Sequence, residues 1–118
     1  MIYTQSNGNR PYISWLDTID DVHARAAIAA RLNRVALGLL GNHHDVGHGV
    51  CELRIDYGPG YRVYYGEWRN YTVLLLSGGT KRGQQRDIDT AHTYFADFKK
   101  QNTVIPSPFT KRPRRPRR

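Results

Sequence analysis

Cysteine is almost missing from this chain. Cys51 stands alone among 118 residues, so no internal disulfide can form and a reducing, cytosolic setting is expected. Its place in an alternating stretch reads as a small buried hydrophobe. Long apolar runs are absent as well: nothing approaches the roughly eighteen residues of a spanning helix, and no charged-then-apolar leader follows Met1. The expectation is a protein that neither spans a membrane nor is secreted. There is no HExxH, no paired-cysteine spacing and no GxxxxGK[ST] order, which argues against a zinc enzyme and a P-loop nucleotide hydrolase. No internal repeat is present. The length fits one domain with a single core that needs neither metal nor disulfide.

Acidic residues are scarce, 10 against 18 basic ones, for a net charge of +8. The imbalance sits mostly at one end. Lys111, Arg112, Arg114, Arg115, Arg117 and Arg118 supply six of the basic groups, leaving 12 against 10 in the body. Residues 1–102 therefore read as one nearly balanced folded domain, and residues 103–118 as a disordered Pro/Arg-rich tail that attracts polyanions without reading sequence.

Periodicity divides the body. Ile2 and Tyr3 suit a short opening strand, and Asn9 is placed to cap a helix with Pro11 in its first turn. Tyr12, Trp15, Leu16 and Ile19 recur at helical spacing. A second helix is expected from Asp20 or Asp21 to about Leu39, burying Ile28, Leu32, Val35 and Leu39. The pair should form a hairpin over one face of a sheet, an α+β arrangement.

The sheet follows. In ELRIDYGPGYRVYY, residues 52–65, odd-numbered apolar residues alternate with Glu52, Arg54, Asp56, Arg62 and Tyr64. Tyr57 opposite Tyr61 would leave Gly58, Pro59 and Gly60 as the loop, with Arg54 facing Tyr64 and Asp56 facing Arg62. TVLLLS, with its Leu74–Leu76 run, reads as a central strand. GGTKRGQQ then opens into a last helix whose Ile88, Ala91, Phe95 and Phe98 fall at core spacing.

The candidate chemistry lies on the even-numbered face. Arg54 and Arg62, with Lys81 and Arg82 after the third strand, are placed to gather positive charge, and guanidinium forks grip phosphate oxygens through paired donors. Tyr64 offers a ring for a base to stack on. The plain alternative is an ordinary solvated face, with Arg62 paired to Asp56 and Arg54 to Glu52. GNHHDVGHGV gathers His43, His44, Asp45 and His48 without a familiar metal spacing, so no metal is expected there. A histidine of this loop becomes an acid–base candidate only by reaching the arginine face, and His48 is counted among the substrate contacts.

These residues, in order, carry a likeness. WLDTIDD, then GVCELRIDYGPGYRVYY, then VLLLSGGTKRGQQRDIDTA resemble the RelE/HigB-like toxins of bacterial type II toxin–antitoxin modules, in the phage-derived addiction module killer branch. The likeness runs from about Tyr12 to Phe98. It implies a RelE/ParE-like α/β fold: a small antiparallel sheet, an N-terminal helical hairpin on one face, and a C-terminal helix. It also implies ribosome-dependent cleavage of mRNA without a metal or other cofactor, restrained by an antitoxin protein of helix-turn-helix DNA-binding type.

Basic residues of the sheet face carry the reaction in such toxins, and the matching positions here are Arg54, Arg62 and Lys81 or Arg82. Gln84 and Asp87 match the branch pattern. His92 and Tyr94 lie where some relatives place a proton-transfer group, without an unambiguous match. Two other readings share these features: a ParE-like protein that binds and inhibits DNA gyrase, and a non-catalytic RNA-binding module led by the tail.

Overall fold

The computed structural model describes residues 1–70 and 72–103; apart from Thr103, the expected tail lies outside them. The element order is α1 (Pro11–Leu16), α2 (Val22–Ala36), β1 (His43–Asp45), β2 (Val50–Ile55), β3 (Tyr61–Trp68), β4 (Thr72–Thr80) and α3 (Gln84–Gln101). The four strands form one antiparallel sheet in the order β1-β2-β3-β4. The fold is α+β, with no helix among the described residues long and apolar enough to cross a membrane.

Local chemistry sets the helix ends. Arg10, not the expected Asn9, occupies the N-cap of α1, and Pro11 starts the helix where its missing N–H costs nothing. Asp21 caps α2, its Oδ1 accepting the His23 and Ala24 amides at 2.8 and 3.3 Å. At the other end Gly38 takes φ 82°, letting its N–H reach Val35 O and the Leu39 N–H reach Arg34 O. That left-handed closure stops α2 three residues before the expected end and leaves Leu39 59% exposed rather than in the buried stripe.

Alternation along the strands sends side chains to two cores. Leu53, Ile55, Tyr61, Val63 and Tyr65 face α1 and α2 with Tyr12, Ile28 and Val35. Val50, Tyr64, Leu74 and Leu76 face α3, where Ile88, Ala91, Phe95 and Phe98 are buried as their spacing predicts. The second face is thus covered, not open. β4 is the last of the four strands instead of a central one. Ile2 bridges in parallel to Leu75 along its outer edge, so the leucine run still has neighbours on both sides.

Two glycines set how closely the layers approach. A Cβ on Gly78 would overlap the Trp15 ring of α1, and one on Gly79 would overlap the Asp87 carboxylate of α3. Neighbouring strand residues point to opposite faces of a sheet, so these adjacent glycines meet α1 on one side and α3 on the other, each at a close approach that a side chain would block.

The β2–β3 register differs from the expected one. Ile55 pairs with Tyr61 and Arg54 with Arg62, so residues 56–60 form a five-residue loop in place of three. Tyr57 is drawn out of the ladder: its N–H bonds Ile55 O, its O accepts the Gly60 N–H, and its hydroxyl donates to Asp21 Oδ2 at 3.3 Å. Gly58 and Gly60 supply the positive φ the loop needs. A slip of two residues keeps every side chain on its expected face but changes its neighbours.

Candidate functional site

The slipped register sets two arginines side by side, an arrangement that costs free energy unless a counter-charge lies between them. Glu52 supplies it. Its carboxylate is fully buried. Oε1 accepts from Arg54 Nε at 2.8 Å and Arg62 Nη1 at 3.0 Å; Oε2 accepts from the Tyr64 hydroxyl at 3.0 Å and Gln84 Nε2 at 2.8 Å. Burial by itself would raise the Glu52 pKa, but hydrogen bonds from Arg54, Gln84 and Tyr64 and the Arg62 charge outweigh it and hold the group below the usual carboxylate range. One carboxylate cannot neutralise two guanidinium groups, so the cluster keeps a positive charge.

Above this floor lies a largely polar pocket of about 340 Å³, lined by Arg54, Arg62, Lys81, Asn42, Asp56 and Tyr61 together with the Gly58–Gly60 turn. The loop that defeated the expected register forms one wall. Lys81 is tied in by its N–H to Gly60 O at 3.2 Å. Arg54 spends one N–H on Glu52 and is about a third exposed; Arg62 is nearly buried, and its Nε has no acceptor among the described residues. A buried donor left unpaired costs about 1–3 kcal/mol.

Of the residues expected to act, Arg54, Arg62 and Lys81 converge. Gln84 supports them from below through Glu52. Tyr64 is corrected: its ring is wholly inside the second core, where no base can stack on it, and burial followed by the Glu52 charge raises its hydroxyl pKa. Asp87 braces α3 against Gly79, and desolvation raises its pKa against the lowering effect of Arg86. Arg82 is exposed on the turn before α3 and is not among the pocket's lining residues. The Arg62–Asp56 pair of the plain alternative does not form among the described side chains, whereas Arg54–Glu52 does.

His48 also lies elsewhere, in a separate pocket with His92. Tyr94 stacks on Tyr3 with ring centroids 5.1 Å apart. The histidine that approaches the arginine pocket is instead His44, paired across β1–β2 with Glu52, its Nε2 3.0 Å from Asn42 Oδ1. Asn42 is positioned in turn by its carbonyl, which accepts Arg31 Nη2 from α2 and the Arg54 N–H, each at 3.0 Å. Sequence reasoning missed Asn42 and the role of Glu52. Strand parity put Glu52 on the face of the arginines, but its place between them follows from the observed register, and no periodicity marks Asn42. Among the described residues no group of three or more His, Cys, Asp or Glu side chains converges as a metal site.

Fold and pocket together define a small α+β protein with a cationic pocket built over a buried carboxylate. No family model matches the chain. A Haemophilus influenzae protein described as an uncharacterized protein is 44% identical over 78 residues, covering 66% of this chain and 79% of that protein. The chain belongs to the same family as that protein.

Proposed function

We propose that this chain is the toxin of a type II toxin–antitoxin pair: a ribosome-dependent endoribonuclease that cleaves translated mRNA without a metal, in a RelE/ParE-like arrangement of sheet and helices. The observation that carries the reading is the meeting of Arg54, Arg62 and Lys81 in one pocket, at the strand and loop positions to which the RelE/HigB resemblance assigns the chemistry.

RNA brings its own nucleophile. The 2′-hydroxyl loses its proton and attacks the adjacent phosphorus; the bond from phosphorus to the 5′-oxygen breaks, that oxygen takes a proton, and a 2′,3′-cyclic phosphate remains. The protein has to hold the backbone in line and stabilise charge on the phosphoryl oxygens. Arg54, with both terminal nitrogens free of Glu52, and Lys81 hold flanking phosphates, while Arg62, which lines the same pocket, stabilises the developing charge. An antitoxin with an acidic segment would silence the site by docking over Arg54 and Arg62.

Arg62→Ala is a poor probe, because it also removes a partner of buried Glu52. Lys81→Ala leaves that floor untouched, and Arg54→Ala removes its most exposed partner while Arg62, Tyr64 and Gln84 still hold Glu52. Mapping of mRNA 5′ ends after brief induction should show new cuts in translated messages with wild type and their loss in both variants. Undiminished cutting by both folded variants overturns the assignment. One observation favours a second reading: each arginine is already paired to Glu52, as expected of a protein-binding gyrase inhibitor whose arginine face is incidental. Intact messages with altered DNA supercoiling in the same cultures would establish it.

A further inference from the structure

A second pocket lies at the other end of β2, away from the arginines. It measures about 370 Å³ and is lined by His48, His92, Thr93, Ala96 and Lys99. Five steps of strand separate Val50, beside it, from Ile55 at the arginine pocket, about 17 Å. None of the residues described so far as holding phosphate belongs to it.

The loop that forms its rim is tightly specified. Gly47, His48 and Gly49 all have positive φ, at 93°, 54° and 80°, and His48 is one of only two described non-glycine residues in that region. Holding a side chain there costs about 1–3 kcal/mol, and surrounding structure must compensate. Here α3 does so. The His92 ring meets His48 edge to face at 4.5 Å and anchors to Val46 O at 2.9 Å through Nε2. A Cβ on Gly49 would lie 3.0 Å from the Phe95 ring, and Lys99 Nζ sits over that ring, 4.2 Å from its centroid. The loop and α3 together bring two imidazoles and an ammonium group to one cavity.

The charges around it decide what it would hold. From α3 come His92 and Lys99, and from the loop His48. Asp45, the nearest acid in the loop, spends Oδ1 on the Gly47 N–H at 2.8 Å, and Asp89 one turn back accepts from Gln85. A cation is disfavoured, because Lys99 already contributes one positive charge and, among the described residues, no third ligand accompanies the histidines. An oxyanion gains a charge-assisted hydrogen bond from the Lys99 ammonium and N–H donors from the imidazole rings.

We infer that His48, His92 and Lys99 form a second binding site for a phosphate group, separate from the arginine pocket. The group belongs either to a small phosphorylated ligand or to an RNA strand; only the second source rests on the proposed nuclease activity. The site itself does not.

The test is NMR titration of the full chain, following ring signals of His48 and His92. Inorganic phosphate and a short non-cleavable oligoribonucleotide are added at constant ionic strength and constant pH. Phosphate should shift both rings saturably. Lys99→Gln, which alters an exposed side chain, should weaken binding about tenfold while the remaining spectrum stays native. A response to the oligoribonucleotide as well identifies RNA as a source, and a response to phosphate alone identifies a small ligand. No saturable shift, equal binding by folded Lys99→Gln, or a response to zinc in place of phosphate overturns the inference. Cleavage assays on Lys99→Gln separate this site from the nuclease reading, since phosphate binding can fail while cleavage persists, or the reverse.

Discussion

The two faces of the sheet are built from alternate residues of the same strands and do different work. Toward α1 and α2 every inward residue of β2 and β3 is apolar or aromatic: Leu53, Ile55, Tyr61, Val63 and Tyr65. Toward α3 the same strands carry Glu52, Arg54, Arg62 and Tyr64 among the apolar residues. The first face gains its stability from area removed from water. The second buries a charge, which is tolerable only because four donors satisfy the carboxylate. One face can accept many apolar sequences; the other depends on a particular set of partners.

The largest effect should come from breaking that set. Glu52→Gln leaves the shape but removes the counter-charge between Arg54 and Arg62, and we expect a loss of about 3–5 kcal/mol in a urea denaturation series. A volume-conserving change on the other face, such as Leu53→Met, should cost less than about 1.5 kcal/mol. Equal losses would show that the buried carboxylate is no more demanding than the apolar core.

The glycine pair sharpens the contrast. Gly78→Ala pushes into Trp15 on the apolar side and should cost about 1–3 kcal/mol, part of which Trp15→Leu restores. Gly79→Ala meets Asp87, so there the rescue should come from Asp87→Ala. Double-mutant cycles measured by thermal unfolding check both pairs, and a rescue that worked equally well across faces would contradict the opposite orientations of these glycines.

Smaller again is the effect of Arg54→Ala. Arg54 is partly exposed, and Arg62, Tyr64 and Gln84 remain on Glu52, so stability should fall by only about 1 kcal/mol while cleavage is lost. The mildest test concerns pH. Burial raises the Asp87 pKa in the folded state, so its ionised form costs stability near neutrality, and that cost disappears as pH falls below its folded pKa. Asp87→Asn should therefore match or exceed wild type at neutral pH, with the gap closing toward about pH 4. Glu52 acts in the opposite sense: its lowered pKa means that its contribution is complete above the ordinary carboxylate range and is lost as pH falls through the folded value.

How far all this was legible follows from the range of each interaction. Alternation placed Glu52, Arg54, Arg62 and Tyr64 on one face correctly, because side-chain direction in a strand depends only on parity. The same parity could not say that α3 covers that face, so Tyr64 read as an open ring when it is a core residue. Ile88, Ala91, Phe95 and Phe98 were visible as a helical stripe, yet nothing in their spacing names the surface they meet. The α2 end was missed by three residues because Gly38, not the apolar period, terminates the helix. Asn42 carries no pattern at all; its position depends on Arg31, eleven residues earlier on a different element.

By itself the sequence determined the strand and helix segments, the division of each strand into two faces, and the presence of basic residues on one of them. These are local properties, set by backbone geometry and by which residues avoid water. Tertiary structure decided that Arg54 stands beside Arg62, that Glu52 lies buried between them, and that Lys81 and Asn42 complete a pocket while His48 joins His92 elsewhere. Those outcomes depend on Tyr57 bonding to the cap of α2 and on α3 closing over the sheet, and contacts between residues far apart in the chain leave no period in it to read.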